Sequence, residues 1–175
     1  EILLSEKLNI HPPVIFEKFA TSKLLIDEQE IEFIMPRKEY YELNSRNPET
    51  EIGTLQQDAL RRDFTVNALF LRLNDLKLLD LTEKGLQDIE NKIIRVTDQT
   101  SADTIVSQDP LRILRAVRQS FQLNFSIESQ TYKSMKKNAE RIRIVSGERI
   151  RDELNKILLT EIPTKALLML DDINM

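Results

Sequence analysis

The sequence predicts an α+β fold: a strand-rich part over residues 1–100 and an all-helical part over residues 101–175. Three observations carry this. Before residue 100 apolar and polar residues alternate in short runs, as in Glu30-Ile31-Glu32-Phe33-Ile34-Met35. From Asp109 onward apolar residues recur at helical spacing, as at Leu111, Leu114, Val117 and Phe121. The composition, with three glycines, no Trp and 31% charged residues, leans towards helix.

Ile2 to Leu8 reads as the end of a helix that Pro12-Pro13 stops. Val14 to Phe19 and Lys23 to Asp27 are extended, Asp27-Glu28-Gln29 turns, and the strand from Glu30 follows with Glu30 and Glu32 on one face. Glu42 to Ile52 is polar, holds Pro48 and lacks periodicity, which predicts a mobile loop. Thr54 to Ala59 is a short helix with Thr54 or Gly53 at its cap. A strand near Leu69 to Leu73 turns at Asn74-Asp75 into Lys77 to Leu81; Leu86 to Asn91 is helical and Ile93 to Thr97 is a last strand. Asp109-Pro110 opens the first long helix, with Asp at the cap and Pro in the first turn. Helices over Ser129–Ala139, Val145–Leu159 and from Pro163 onward complete the chain.

Composition excludes several chemistries. With no Cys there are no disulfides or thiolate metal sites, a usage that fits the cytoplasm. His11 is the only His, so a His-based triad or zinc site is excluded; it precedes Pro12-Pro13 and reads as a loop residue. Neither a P-loop nor a GxGxxG is present. No run of about 18 apolar residues suggests a membrane span. The net charge of −4 hides an asymmetry: Asp109 to Leu159 holds eleven Lys and Arg against six Asp and Glu. That is either an electrostatic footprint for nucleic acid or a solvated helix face.

The stretch Leu60-Arg61-Arg62-Asp63-Phe64-Thr65-Val66-Asn67-Ala68-Leu69-Phe70 concentrates the chemistry. Guanidiniums fork onto phosphate oxygens, a carboxylate accepts from a sugar hydroxyl, and an amide does either. The stretch therefore reads as a ribonucleotide grip, or as a helix N-terminus with an acidic cap and two solvated arginines.

Four blocks agree in order and spacing: RRDFTVNALF at 61–70; Asp80-Leu81 with Gly85 to Ile89 and Ile94-Arg95; DPLRILRAVRQSFQLNFSIESQT at 109–131; and VSGERIRDELNKILL at 145–159. Together they resemble class II tRNA nucleotidyltransferases, the CCA-adding enzymes, and the related bacterial poly(A) polymerases. The segment Glu32 to Tyr40 resembles the strand-and-arginine segment of bacterial CCA-adding members.

The resemblance implies a partial nucleotidyltransferase palm, a mixed or antiparallel sheet with short helices, followed by a helical neck. It implies template-independent addition of C and A to the 3′ end of tRNA, with CTP and ATP as substrates and Mg²⁺ as cofactor. Glu32 matches the family's third metal-binding catalytic carboxylate; on the residues alone it is an outward-facing strand carboxylate. Arg62 and Asp63 match residues near ribose and phosphates, and Asn67 one near the sugar or metal. Arg115 is placed towards the triphosphate, and Arg149, with Arg151, towards triphosphate or RNA. Arg118 reads as a solvated or RNA-facing charge, and Glu148 and Glu153 as braces for neighbouring arginines. Lys133, Lys136, Lys137, Arg141 and Arg143 form either a tRNA-facing patch or a solvated helix.

Asp109 and Arg112 match the family's base-reading pair. At i and i+3 they share a helix face. An ionised Asp accepts and an Arg donates, which complements the amino and ring-nitrogen edge of cytosine and adenine and opposes uracil and guanine. The alternative is a capping Asp with an intrahelical ion pair. Gln108 stands where the family often has an acidic residue, which leaves Asp109 as sole acceptor there.

The family's Asp-x-Asp and Gly-Gly are not found in the 175 residues. The chain is therefore expected to lie downstream of them and to be inactive by itself. A poly(A) polymerase is the alternative of the same chemistry, and a non-catalytic RNA-binding module the alternative of another class.

Overall fold

The computed structural model describes residues 1–17, 20–40, 49–98 and 101–175. Packing divides the chain into two compact units, Glu1–Tyr40 with Glu49–Asp58, and Ala59–Met175. Residues 59–98, which periodicity groups with the strand-rich part, pack with the helices.

In the first unit α1 (Ile2–Leu8) ends at Asn9 in a left-handed conformation, φ 51°, one residue type that tolerates it. Strands β1 (Val14–Phe16), β2 (Thr21–Ile26) and β3 (Gln29–Ile34) form an antiparallel sheet in that order. The two-residue turn Asp27-Glu28 takes φ of 47° and 65°, the twist that joins adjacent strands tightly. The register sets Lys23 opposite Glu32, and the Lys23 ammonium lies 2.7 Å from Glu32 and 2.6 Å from Glu30. The two glutamates thus share a face, as alternation predicts.

A second hairpin pairs β4 (Arg37–Tyr40) with β5 (Glu49–Ile52). This corrects the loop expected over 42–52: residues 49–52 are a strand, while 42–48 lie outside the described residues. Four residues are too few for a periodicity to register, and the strand exists through its cross-strand partners. Helix α2 (Leu55–Leu60) opens on a reciprocal cap: Gln57 N–H donates to Thr54 Oγ1 at 3.2 Å and Thr54 N–H to Gln57 Oε1 at 2.9 Å.

The second unit begins with the Arg61–Phe64 turn and a single 3₁₀ turn, Thr65–Asn67. Hairpin β6 (Leu69–Arg72) and β7 (Lys77–Asp80) leads to α3 (Gly85–Glu90), whose start Asp80 ties by accepting from Leu86 N–H at 3.0 Å. Strand β8 (Ile93–Ile94) is shorter than the expected Ile93–Thr97. It pairs in parallel with β9 (Ser126–Ile127), which no local pattern announced.

Five helices follow: α4 (Ala102–Gln108), α5 (Leu111–Leu123), α6 (Ser129–Asn138), α7 (Gly147–Leu158) and α8 (Pro163–Asp172), with a 3₁₀ segment Ala139–Ile144 after α6. Helix α4 lies ahead of the expected helical start at Asp109. Its β-branched Thr104, Ile105 and Val106 mask it as extended, yet its buried Ala102, Ile105 and Val106 are spaced for one helix face. The core gathers on α5, where Ile113, Leu114, Ala116 and Val117 meet Phe64, Ile94, Val96, Met135, Ile157 and Ile173.

Candidate nucleotide-binding site

Helix α5 has two faces. Its apolar stripe enters the core, and Arg112, Arg115 and Gln119, at helical spacing, face a cleft of about 470 Å³. The Arg61–Asn67 segment supplies the facing wall through Arg61, Arg62, Asp63 and Asn67, while Asp109, Leu111 and Arg149 complete the lining. Segments more than 80 positions apart thus meet in one polar cleft within the second unit.

Asp63 is the hinge of the facing wall. It is buried, accepts from Phe64 N–H at 2.8 Å and Asn67 Nδ2 at 3.1 Å, and takes the Arg115 guanidinium through Nε at 2.7 Å and Nη2 at 2.6 Å. Asn67 also donates to Gln119 Oε1 at 3.1 Å. Arg62 donates to Asn67 O at 3.1 Å and lies 4.9 Å from the Phe70 ring centre, a stacked position that leaves the guanidinium at the cleft.

Beneath this wall the buried Asp88 receives Arg95 Nε at 3.0–3.1 Å and Thr65 Oγ1 at 2.7 Å, pinning the 3₁₀ turn to α3. Sequence reading missed that brace and Gln119. The i+4 step from Arg115 was the available signal for Gln119; nothing local linked Asp88 to Arg95.

The expected base-reading pair is present at the cleft, and its members are held separately. Arg112 is 8% exposed and donates through Nη1 to Ile105 O at 2.8 Å and through Nη2 to Arg61 O at 2.7 Å. These bonds use two of its five N–H groups and fix the plane of the rest. Asp109 accepts from Leu111 N–H at 3.3 Å, as a helix cap does, and from Arg149 at 3.3 and 2.8 Å. The intrahelical Asp109–Arg112 ion pair does not form.

Arg118 departs from expectation. Its side chain is only 14% exposed and donates to Glu153 Oε2 at 2.6 Å and to Gln122 Oε1 at 2.7 Å, so the protein and not solvent holds it. Glu153, on α7, also takes Lys156 at 3.2 Å and lies 4.0 Å from Arg115. Burial pushes the Glu153 carboxyl up, but the hydrogen bonds and charges of Arg118 and Lys156 outweigh it, and the net shift is down. Glu153 thus braces an arginine of α5, whereas Arg149 and Arg151 beside it pair with Asp109 and Asp152.

The basic set is divided. Lys136 pairs with Asp172 at 2.9 Å, Lys137 with Asp103, and Arg141 Nε donates to Ser107 O at 3.2 Å. Lys133 and Arg143 are exposed, and among the described residues neither has an acidic partner. Glu32 belongs to the first unit and faces Lys23. Among the described residues no three carboxylate, His or Cys side chains cluster to hold a metal, so these residues do not by themselves fit a divalent ion. No helix among them is long and apolar enough to cross a membrane.

A short-stranded part leads into a helical part, with an arginine-rich polar cleft on the first long helix. Residues 2–95 match the poly A polymerase head domain, and residues 124–175 match a family described as the probable RNA and SrmB-binding site of polymerase A. The chain belongs to the poly A polymerase head-domain family.

Its relatives include tRNA nucleotidyltransferases and CCA-adding enzymes. A mitochondrial CCA tRNA nucleotidyltransferase of Candida glabrata is 38% identical over 85% of this chain and 28% of its own length. An A-adding tRNA nucleotidyltransferase of Aquifex aeolicus is 36% identical over 78% of this chain and 16% of its own. Among solved structures, an apo CCA-adding enzyme superposes with a TM-score of 0.83 at 31% identity, over 97% of this chain and 40% of that one. The Bacillus stearothermophilus CCA-adding enzyme in complex with CTP gives 0.78 at 25% identity, over 93% and 39%. The chain spans between 27% and 31% of the length of the first three curated relatives.

Proposed function

We propose that this chain is the nucleotide-selecting part of an enzyme that adds C and A, without a template, to the 3′ end of tRNA. The observation that carries it is the cleft that brings Asp109 and Arg112 together with Asp63, Arg62 and Arg115. The Asp109 carboxylate accepts from the amino group of cytosine or adenine, and the remaining Arg112 N–H groups donate to the ring nitrogen beside it. Two backbone carbonyls already hold Arg112, so little ordering remains when the base arrives. Arg62, Arg115 and Arg149 supply positive charge for the triphosphate, while Asp63 and Asn67, in the same cleft, offer an acceptor and an amide to a ribose hydroxyl.

The relatives named as CCA-adding favour C and A together. The A-adding relative and the family's own description favour, as a second reading, an enzyme that adds A alone. The RNA would lie along the helices matched as an RNA-binding region, where Lys133 and Arg143 are exposed. The proposed setting is a tRNA-containing compartment, the cytoplasm included.

Mg²⁺ is the proposed cofactor of the whole protein, where it would neutralise charge on the reacting phosphates. Glu32 is its proposed ligand and catalytic carboxylate in this chain. Because these residues do not make a complete metal site, the 175 residues alone are proposed to bind nucleotides and not to transfer them.

The test is equilibrium binding of the four nucleoside triphosphates. CTP and ATP bind at least about tenfold more tightly than UTP and GTP, because the wrong base leaves polar groups unpaired. Asp109→Ala erases that preference and retains triphosphate binding. Equal binding of all four by the unmodified chain would overturn the assignment.

A further inference from the structure

Arg149 comes from α7 and has one partner among the described residues, the carboxylate of Asp109. Its two terminal nitrogens cover both carboxylate oxygens, at 3.3 and 2.8 Å. The acceptor assigned to the base is therefore already occupied by a donor pair. Two other arginines of the cleft are tied differently: Arg112 by two backbone carbonyls and Arg115 by the buried Asp63. The Arg149 side chain is 40% exposed and that of Asp109 22%, so solvent reaches their ion pair and screens it in part.

We propose that Arg149 is a positioning residue that couples phosphate occupancy to base reading; this rests on the cleft taking nucleoside triphosphates. Arg149 covers Asp109 through both carboxylate oxygens. A polyphosphate entering beside Arg62 and Arg115 draws the Arg149 guanidinium onto its own oxygens, since a multiply charged phosphate outcompetes one carboxylate for a two-pronged donor. Asp109 is then bare for the base. A nucleoside without phosphates meets the acceptor closed, so base discrimination is expressed on triphosphates.

The coupling is measured on the chain by calorimetry, with cytidine and inorganic pyrophosphate as separate probes and no metal added. Pyrophosphate tightens cytidine binding about threefold or more, the scale of an exposed ion pair, and cytidine tightens pyrophosphate binding by the same factor. In Arg149→Ala the coupling vanishes: cytidine binds as it does to the pyrophosphate-loaded parent, and pyrophosphate binds more weakly. Arg149→Lys keeps the charge without the fork and retains partial coupling. Independent binding of the two probes by the parent chain, or full coupling in Arg149→Ala, overturns the switch and leaves the nucleotide cleft standing. A parent chain that binds neither CTP nor ATP overturns the cleft itself, and the switch with it.

Discussion

At the scale of single residues, charge at the cleft is organised by burial. Glu153 is 5% exposed and holds Arg118 and Lys156 while lying 4.0 Å from Arg115, so one carboxylate steadies the row of cations along α5. Its carboxyl sits below the usual glutamate range when folded. It therefore binds its proton less readily in the folded chain than in the unfolded one. The stabilisation is complete above the ordinary value of 4.5 and is lost as pH falls through the lower folded value. Glu153→Gln is expected to cost about 1–3 kcal/mol at neutral pH, since it leaves a partly buried Arg118 without its charge partner. It also flattens the acid limb of stability below the ordinary glutamate value of 4.5. Urea unfolding at a series of pH values measures both, and an unchanged acid limb would remove Glu153 from this role.

At the scale of elements, the grip depends on how closely α3 approaches the 3₁₀ turn. A Cβ at Gly85 would lie 2.7 Å from Thr65 O and 2.9 Å from Leu69 Cδ2, and the first of these is backbone that cannot rotate away. Gly85→Ala is therefore expected to destabilise the chain by about 1–3 kcal/mol through overpacking. Because Thr65 is two residues from Asp63, nucleotide affinity falls with it. Gly147 opens α7 and a Cβ there would meet nothing within 4 Å. Gly147→Ala is expected to be neutral or to stabilise by up to about 1 kcal/mol, because alanine loses less freedom in a helix. Thermal melts of the two variants beside the parent decide the matter: equal effects at both glycines would show that the close approach at Gly85 does not matter.

At the scale of the whole molecule, apolar burial is unequal. The contiguous core lies in Ala59–Met175, around α5, whereas in the first unit Leu24 is the large apolar side chain that is fully buried among the described residues. Val14, Ile15, Leu25, Ile31 and Ile34 of the three-stranded sheet are exposed. Local opening is easiest where few apolar contacts are lost. Amide hydrogens of β1–β3 are therefore expected to exchange faster than those of the middle of α5, by an order of magnitude or more. Hydrogen exchange followed by mass spectrometry reads this directly, and equal protection in both would contradict the ranking.

Much of this was legible in the residues because it is local. The period of apolar residues located α5 to α8, Thr54 was one of two residues expected to cap α2, and the alternation around Glu30 and Glu32 placed both on one face, where Lys23 meets them. The four ordered blocks, at 61–70, 80–95, 109–131 and 145–159, carry the family resemblance in the sequence itself. Pairings across long separations were not legible. The β8–β9 ladder, the Asp88–Arg95–Thr65 brace and the Arg118–Glu153 pair depend on which surfaces the packed helices bring together. The same holds for Asp109. Sequence determined that an acceptor and a donor stand three residues apart on one helix. Only the tertiary structure decided that Arg112 turns to the carbonyls of Ile105 and Arg61, and that Asp109 is closed by an arginine from another helix. Helical spacing sets which face a side chain leaves from, and the competition among partners in space sets where its charge is spent.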